Sequence, residues 1–273
     1  MKQSAVFQNS KVFLIPLFIA ITSLLLVFIS LVYGWFGQWT GAGSNFCEAA
    51  RDCLVKQPSN SYSNLSFVFF GLLAAWQLYK GKFNGNSNSL TNSAVVSIFF
   101  CSVAVLLGPG SMAMHASEAE LGGYFDMLSM YLMASLMFSY AAKRFFKLGT
   151  LSYFLTFFMV LAVCHYFHFK SIELPVIGFS GSASFAFFVV TAMFIELFNK
   201  LKYKPESSFK WAIACSVTFI IAFLIWNIGW TDHPWCDPHS LIQAHAVWHI
   251  LCGLAVYFLL RFYASENISP QVA

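Results

Sequence analysis

His245 and His249 stand four residues apart in the run QAHAVWHIL. On a helix that spacing puts both imidazoles on one face, as two ligands of a single tetrahedral metal require. One helix rarely supplies more than two ligands, so a third has to come from another element. His115, in GPGSMAMHAS, fits that demand. Three protein ligands with one open position is the pattern of a catalytic rather than a structural zinc. Ser111 lies one turn before His115 on the same face, where its hydroxyl can approach a metal-bound oxygen. Asp126, one short loop further on, can accept a proton or orient a ligand. The competing reading is that single histidines at helix ends are interfacial residues and that pairs at this spacing arise by chance.

The elements that must carry these residues are membrane helices. Of 273 residues, 59% are hydrophobic, 19% aromatic and only 10% charged, with a mean hydropathy of +0.69. A soluble domain has about 25% charged residues, so a water-soluble globule is excluded, as are disordered and collagen-like chains. Without a basic tract interleaved with aromatics, nucleic acid is not a partner. Eight apolar stretches are long enough to cross a bilayer: 12–35, 62–80, 93–114, 122–141, 149–168, 174–197, 210–230 and 240–262. They are expected to be helices, because barrel strands would be about half this length. The first is read as an uncleaved anchor, since its apolar run exceeds the roughly 7–15 residues of a signal-peptide core.

Positive residues orient the spans. With a cytoplasmic N-terminus, Lys2, Lys11, Lys80, Lys82, Lys143, Arg144, Lys147, Lys200, Lys202, Lys204, Lys210 and Arg261 fall inside, and only Arg51, Lys56 and Lys170 outside. Both termini are then cytoplasmic. All seven histidines fall at the outer side: His115, His165, His168, His233, His239, His245 and His249. Titratable groups in a membrane domain are costly and usually functional, so a site at the outer (periplasmic, extracellular or lumenal) side is expected. His165, His168, His233 and His239 are taken as interfacial polar residues. A b-type haem needs histidines facing across helices, usually at both faces, and membrane di-iron enzymes need more histidines on the inner side; both readings fail.

The combination of FCE…QPSNSYSN, GPGSMAMH, Asp126 and HAVWHIL resembles the alkaline ceramidase family, part of a wider group of seven-helix membrane hydrolases that includes the adiponectin-receptor-like proteins. The resemblance covers 45–262 and implies an all-α integral membrane protein with a seven-helix hydrolase core there; the extra transmembrane helix within 1–44 is a departure from the family's seven-helix members, and 263–273 is a short cytoplasmic tail. It implies zinc held by His115, His245 and His249, with Ser111 and Asp126 as the additional active-site serine and aspartate. The implied activity is zinc-dependent hydrolysis of the N-acyl bond of a ceramide-like membrane lipid. A hydrolase of another ester or N-acyl lipid, or a receptor-like member with slow or no hydrolysis, is the alternative. A fourth protein ligand at the metal would favour the receptor.

The family's ceramidases can also carry calcium in the segment before their first helix. Here that segment is 45–60, with Asn45 and Gln57 where acidic residues would be expected and only Glu48 retained. Two or three oxygens are too few for a cation that takes six to eight. Cys47 and Cys236 match family positions that can form a disulfide, with Cys53 as the alternative partner. Cys101, Cys164, Cys215 and Cys252 fall within spans and are read as packing residues.

Overall fold

In a bilayer each spanning segment must satisfy its own backbone polar groups, and the apolar stretches of this chain do so as helices. The computed structural model describes residues 9–83, 87–174, 178–203 and 206–267. Its elements in order are α1 (Lys11–Val32), α2 (Pro58–Ser63), α3 (Leu65–Tyr79), α4 (Ala94–Ser117), α5 (Glu120–Phe146), α6 (Thr150–Lys170), β1 (Glu173–Leu174), β2 (Gly178–Phe179), α7 (Ser180–Tyr203), α8 (Phe209–Asn227) and α9 (Ala244–Ala264). The chain is thus an all-α, multi-pass membrane protein. Among the described residues seven helices are long and apolar enough to span a membrane. The eighth expected span is α3, only 15 residues long. Asn64, at φ −65° and ψ −18°, joins it to α2 in helical conformation, so the helical path begins at Pro58.

One expected boundary moves appreciably. The stretch 174–197 starts as a helix only at Ser180, because Glu173 and Leu174 pair antiparallel with Phe179 and Gly178. Pro175, which lacks a backbone N–H, sits in the sequence at that point.

By internal contacts the chain forms two units: the residues up to Asp126 together with those from Ser207 on, and Met127–Glu206. In the first, α3 packs against both α4 and α9, α1 packs on α3 and α4, and α8 packs on α9. Glycines permit the closest approaches. A Cβ on Gly108 of α4 would stand 2.7 Å from a Val68 methyl and 2.8 Å from the Asn64 carbonyl oxygen. One on Gly253 of α9 would meet the Ser66 hydroxyl at 2.9 Å and the Phe67 nitrogen at 3.2 Å. His115 follows Gly108 by two turns and His249 precedes Gly253 by one, so these contacts fix where the histidine-bearing helices stand relative to α3.

In the second unit α6 packs on α7. Its core gathers Tyr131, Val160 and Cys164 with Phe138, Phe185 and Phe188. Arg144 is buried and paired with Glu196, and Lys143 donates to the Leu148 carbonyl at 2.7 Å. Large apolar side chains on the open helix faces, such as Phe18, Leu155 and Leu224, are more than 60% exposed, as a bilayer-facing surface requires.

Candidate metal centre

The end of α4 leaves backbone carbonyls without helical partners, and the chain between α1 and α2 supplies donors for them. Lys56 N–H donates to the Ala116 carbonyl at 2.9 Å and Gln57 N–H to that of His115 at 3.0 Å. Glu118 closes the helix in the left-handed region, φ +47°. Pro58 then opens α2, where a missing N–H costs nothing. The buried Glu48 carboxylate accepts the free N–H groups of that first turn, from Ser59 at 2.9 Å and Asn60 at 2.8 Å.

The start of α9 is held as firmly. Gln243 precedes it and turns its side-chain amide back onto the carbonyls of Asp237 and Ser240, at 3.0 and 2.8 Å. Gly229 lies against His245, where a Cβ would come within 3.2 Å of its backbone nitrogen. The segment 45–49 laces this region to the rest. Cys47 N–H donates to Gly229, Ala49 N–H to Pro238, and Thr231 N–H to Asn45. Cys47 and Cys236 form a disulfide with Cα atoms 5.5 Å apart, the pairing the resemblance implied; Cys53 is a free thiol.

These supports bring His115, His245 and His249 together. Their ring centroids lie 4.9, 5.1 and 4.5 Å apart pairwise, and all three are at most 4% exposed. Their nearest ring nitrogens all fall within 4.8 Å of one another, against about 3.4 Å for two nitrogens on one tetrahedral ion at ~2.05 Å. Phe46 walls the cluster on one side, stacked on His245 at 3.6 Å between centroids.

The remaining ring atoms show which nitrogens are free. His115 Nδ1 lies 2.7 Å from Gln57 Oε1, and His249 Nδ1 2.8 Å from Ser63 Oγ. The Ser63 hydroxyl proton goes to the Asn60 carbonyl at 2.9 Å, so the serine oxygen accepts from Nδ1–H of His249. His115 Nε2 and His245 Nδ1 are buried without a hydrogen-bond partner. Buried nitrogens are rarely left so, and three clustered imidazoles with free lone pairs suit a divalent transition metal. The residues present fit a metal ion, and this is the one such group of three among the described residues.

Ser111 is buried on α4 one turn before His115. Its hydroxyl faces the carboxyl of Asp126, half-buried near the start of α5. Serine and aspartate thus form a pair linked to the histidines through α4.

The other histidines have local roles. His168 Nδ1 pairs with the Tyr131 hydroxyl at 3.1 Å, His165 Nδ1 with the Leu161 carbonyl, and His233 Nδ1 accepts from Trp235 N–H. His239 is exposed.

In the segment 45–60 the retained Glu48 carboxylate serves the backbone. Both Glu48 carboxylate oxygens already accept backbone N–H groups, and the Gly43 and Glu48 carbonyls accept from the Gln57 amide. Gln57 and Ser63, which orient two of the histidines, escape a reading by metal-ligand types because neither is one. The only sequence signal is the polar run QPSNSYSN at the head of an apolar span.

A family model described as Ceramidase matches residues 40–270. No curated protein matches the chain.

Proposed function

Because the chain belongs to the ceramidase family, we propose that it is a zinc-dependent amidase that hydrolyses the N-acyl bond of a ceramide-like membrane lipid, releasing a fatty acid and a sphingoid base. One observation carries this reading: three buried histidines converge with two ring nitrogens unpartnered, and Ser111, which faces Asp126, lies one turn before His115 on α4. Residues 45–262 are the hydrolase domain, and α1 is an addition to it. The distribution of Lys and Arg supports cytoplasmic termini and a site at the outer side.

His115, His245 and His249 would hold the zinc, which supplies a Lewis acid able to bring the pKa of a water molecule towards roughly 7. Asp126 accepts the proton of the attacking water and later delivers one to the nitrogen as the carbon–nitrogen bond breaks. Ser111, whose hydroxyl faces Asp126 at rest, turns that donor onto the carbonyl oxygen as negative charge develops there. A ceramide amide lies near the headgroup boundary of the bilayer, the depth at which helix ends are found.

The test is release of sphingoid base from a long-chain ceramide by purified protein in detergent, with His245→Ala alongside. Turnover by the wild type and none by the variant is the expected result. No turnover by folded, zinc-loaded wild type overturns the ceramide assignment.

A further inference from the structure

Gln57 has no exposed surface and spends every polar atom of its side chain. Its Nε2 donates to two carbonyls, Gly43 at 2.9 Å and Glu48 at 2.8 Å. Its Oε1 faces His115 Nδ1 at 2.7 Å and accepts from Asn60 Nδ2 at 3.2 Å. Its backbone N–H holds the His115 carbonyl as well, so one residue grips both the main chain and the ring of the same histidine.

The orientation of this amide is not a free choice. A carbonyl only accepts, so the two acceptors on one side demand the NH2 group there, and the oxygen is left towards His115. An amide oxygen donates nothing, so His115 must carry its ring proton on Nδ1. The lone pair of the neutral ring then lies on Nε2, the buried nitrogen without a partner. Gly43 is the loop residue that lets the amide in: a Cβ there would stand 3.0 Å from Gln57 Oε1 and 3.2 Å from Glu118 Oε1.

We propose that Gln57 is a positioning residue for the metal centre: by its fixed amide it selects the tautomer of His115 and aims Nε2 at the ion. The inference rests on the metal reading of the three histidines. The two halves of the amide do different things. Oε1 orients the ring, and Nε2 ties down the loop at Gly43 and Glu48. Glutamate at 57 retains an acceptor for His115 and loses both donors; leucine loses all of these bonds.

The experiment is zinc affinity by chelator competition on purified full-length protein in detergent, for the wild type, Gln57→Leu and Gln57→Glu, with thermal melting of each. Gln57→Leu should bind zinc roughly 10–100-fold more weakly. Gln57→Glu should bind about as tightly as the wild type despite a lowered melting temperature, a separation that a loop brace alone does not produce. Wild-type affinity in folded Gln57→Leu overturns the proposal, as does equal weakening in both variants. Should Gln57→Leu fail to fold, 15N chemical shifts of His115 in metal-free wild type decide: a proton on Nδ1 is expected, and a proton on Nε2 overturns it. Failure of the wild type itself to take up zinc removes the metal reading, whereas the tautomer reports on Gln57 alone.

Discussion

The indole N–H of Trp39, on the chain that follows α1, donates to the carboxylate of Glu118, three residues beyond His115. The Glu118 carbonyl in turn accepts N–H groups from Thr40 and Ala42 at 3.0 and 3.2 Å. The connection from the extra helix therefore clamps the residue that ends α4, at a left-handed conformation an ordinary side chain seldom takes. Trp39→Phe removes only the indole donor. It should lower stability by about 1 kcal/mol and leave zinc affinity unchanged, as thermal melts and chelator titration of the same samples will show.

Ser63 should matter to the metal without touching it. Ser63→Ala removes the hydroxyl that accepts from His249 Nδ1 and should weaken zinc binding about 10-fold. Ser63→Thr keeps the hydroxyl and should bind normally. Equal affinity in the alanine variant would show that the Ser63 contact is incidental.

Ser111 and Asp126 are predicted to act on rate rather than on metal retention. Ser111→Ala should cost about 10²–10³ in kcat, and Asp126→Asn about 10²–10⁴, both with the zinc content of the wild type. Metal analysis beside initial rates separates the two effects, and full activity in Asp126→Asn would remove it as the base.

Gly108 marks a close approach of α4 to the start of α3. Gly108→Ala places a methyl 2.8 Å from the Asn64 carbonyl oxygen, a backbone atom that cannot rotate away. The helices must separate, at about 1–3 kcal/mol, and the His115 end of α4 moves with them. A lowered melting temperature together with weaker zinc binding is expected.

Chelating calcium should leave the protein unaffected. The Glu48 oxygens and the carbonyls of Gly43 and Glu48 are already engaged by N–H donors. EGTA against added calcium chloride should change neither turnover nor melting temperature.

The histidine pair on α9 was legible because its spacing is a property of one helix, and the spans because bilayer thickness sets a minimum length. Gln57 was not legible in the same way. Its importance arises only when Gly43, Glu48, Asn60 and His115 meet around it, and no local pattern records such a meeting. The expected 240–262 span is present, and its start shifts by one turn for a related reason. Leu241 and Ile242 are apolar yet 73% and 84% exposed, because Gln243 bonds back to Asp237 and Ser240 and delays the helix to Ala244.

The Cys47–Cys236 bridge joins residues separated by 189 positions. At translation speeds of about 5–20 residues per second, Cys47 must wait roughly 10–40 s for its partner to be made. During that interval Cys53, six residues away, is the nearer thiol. Maturation of the protein is therefore a matter of timing and redox supply as much as of helix packing, and a cell that inserts every helix correctly still has to keep one early cysteine uncommitted until Cys236 has been made.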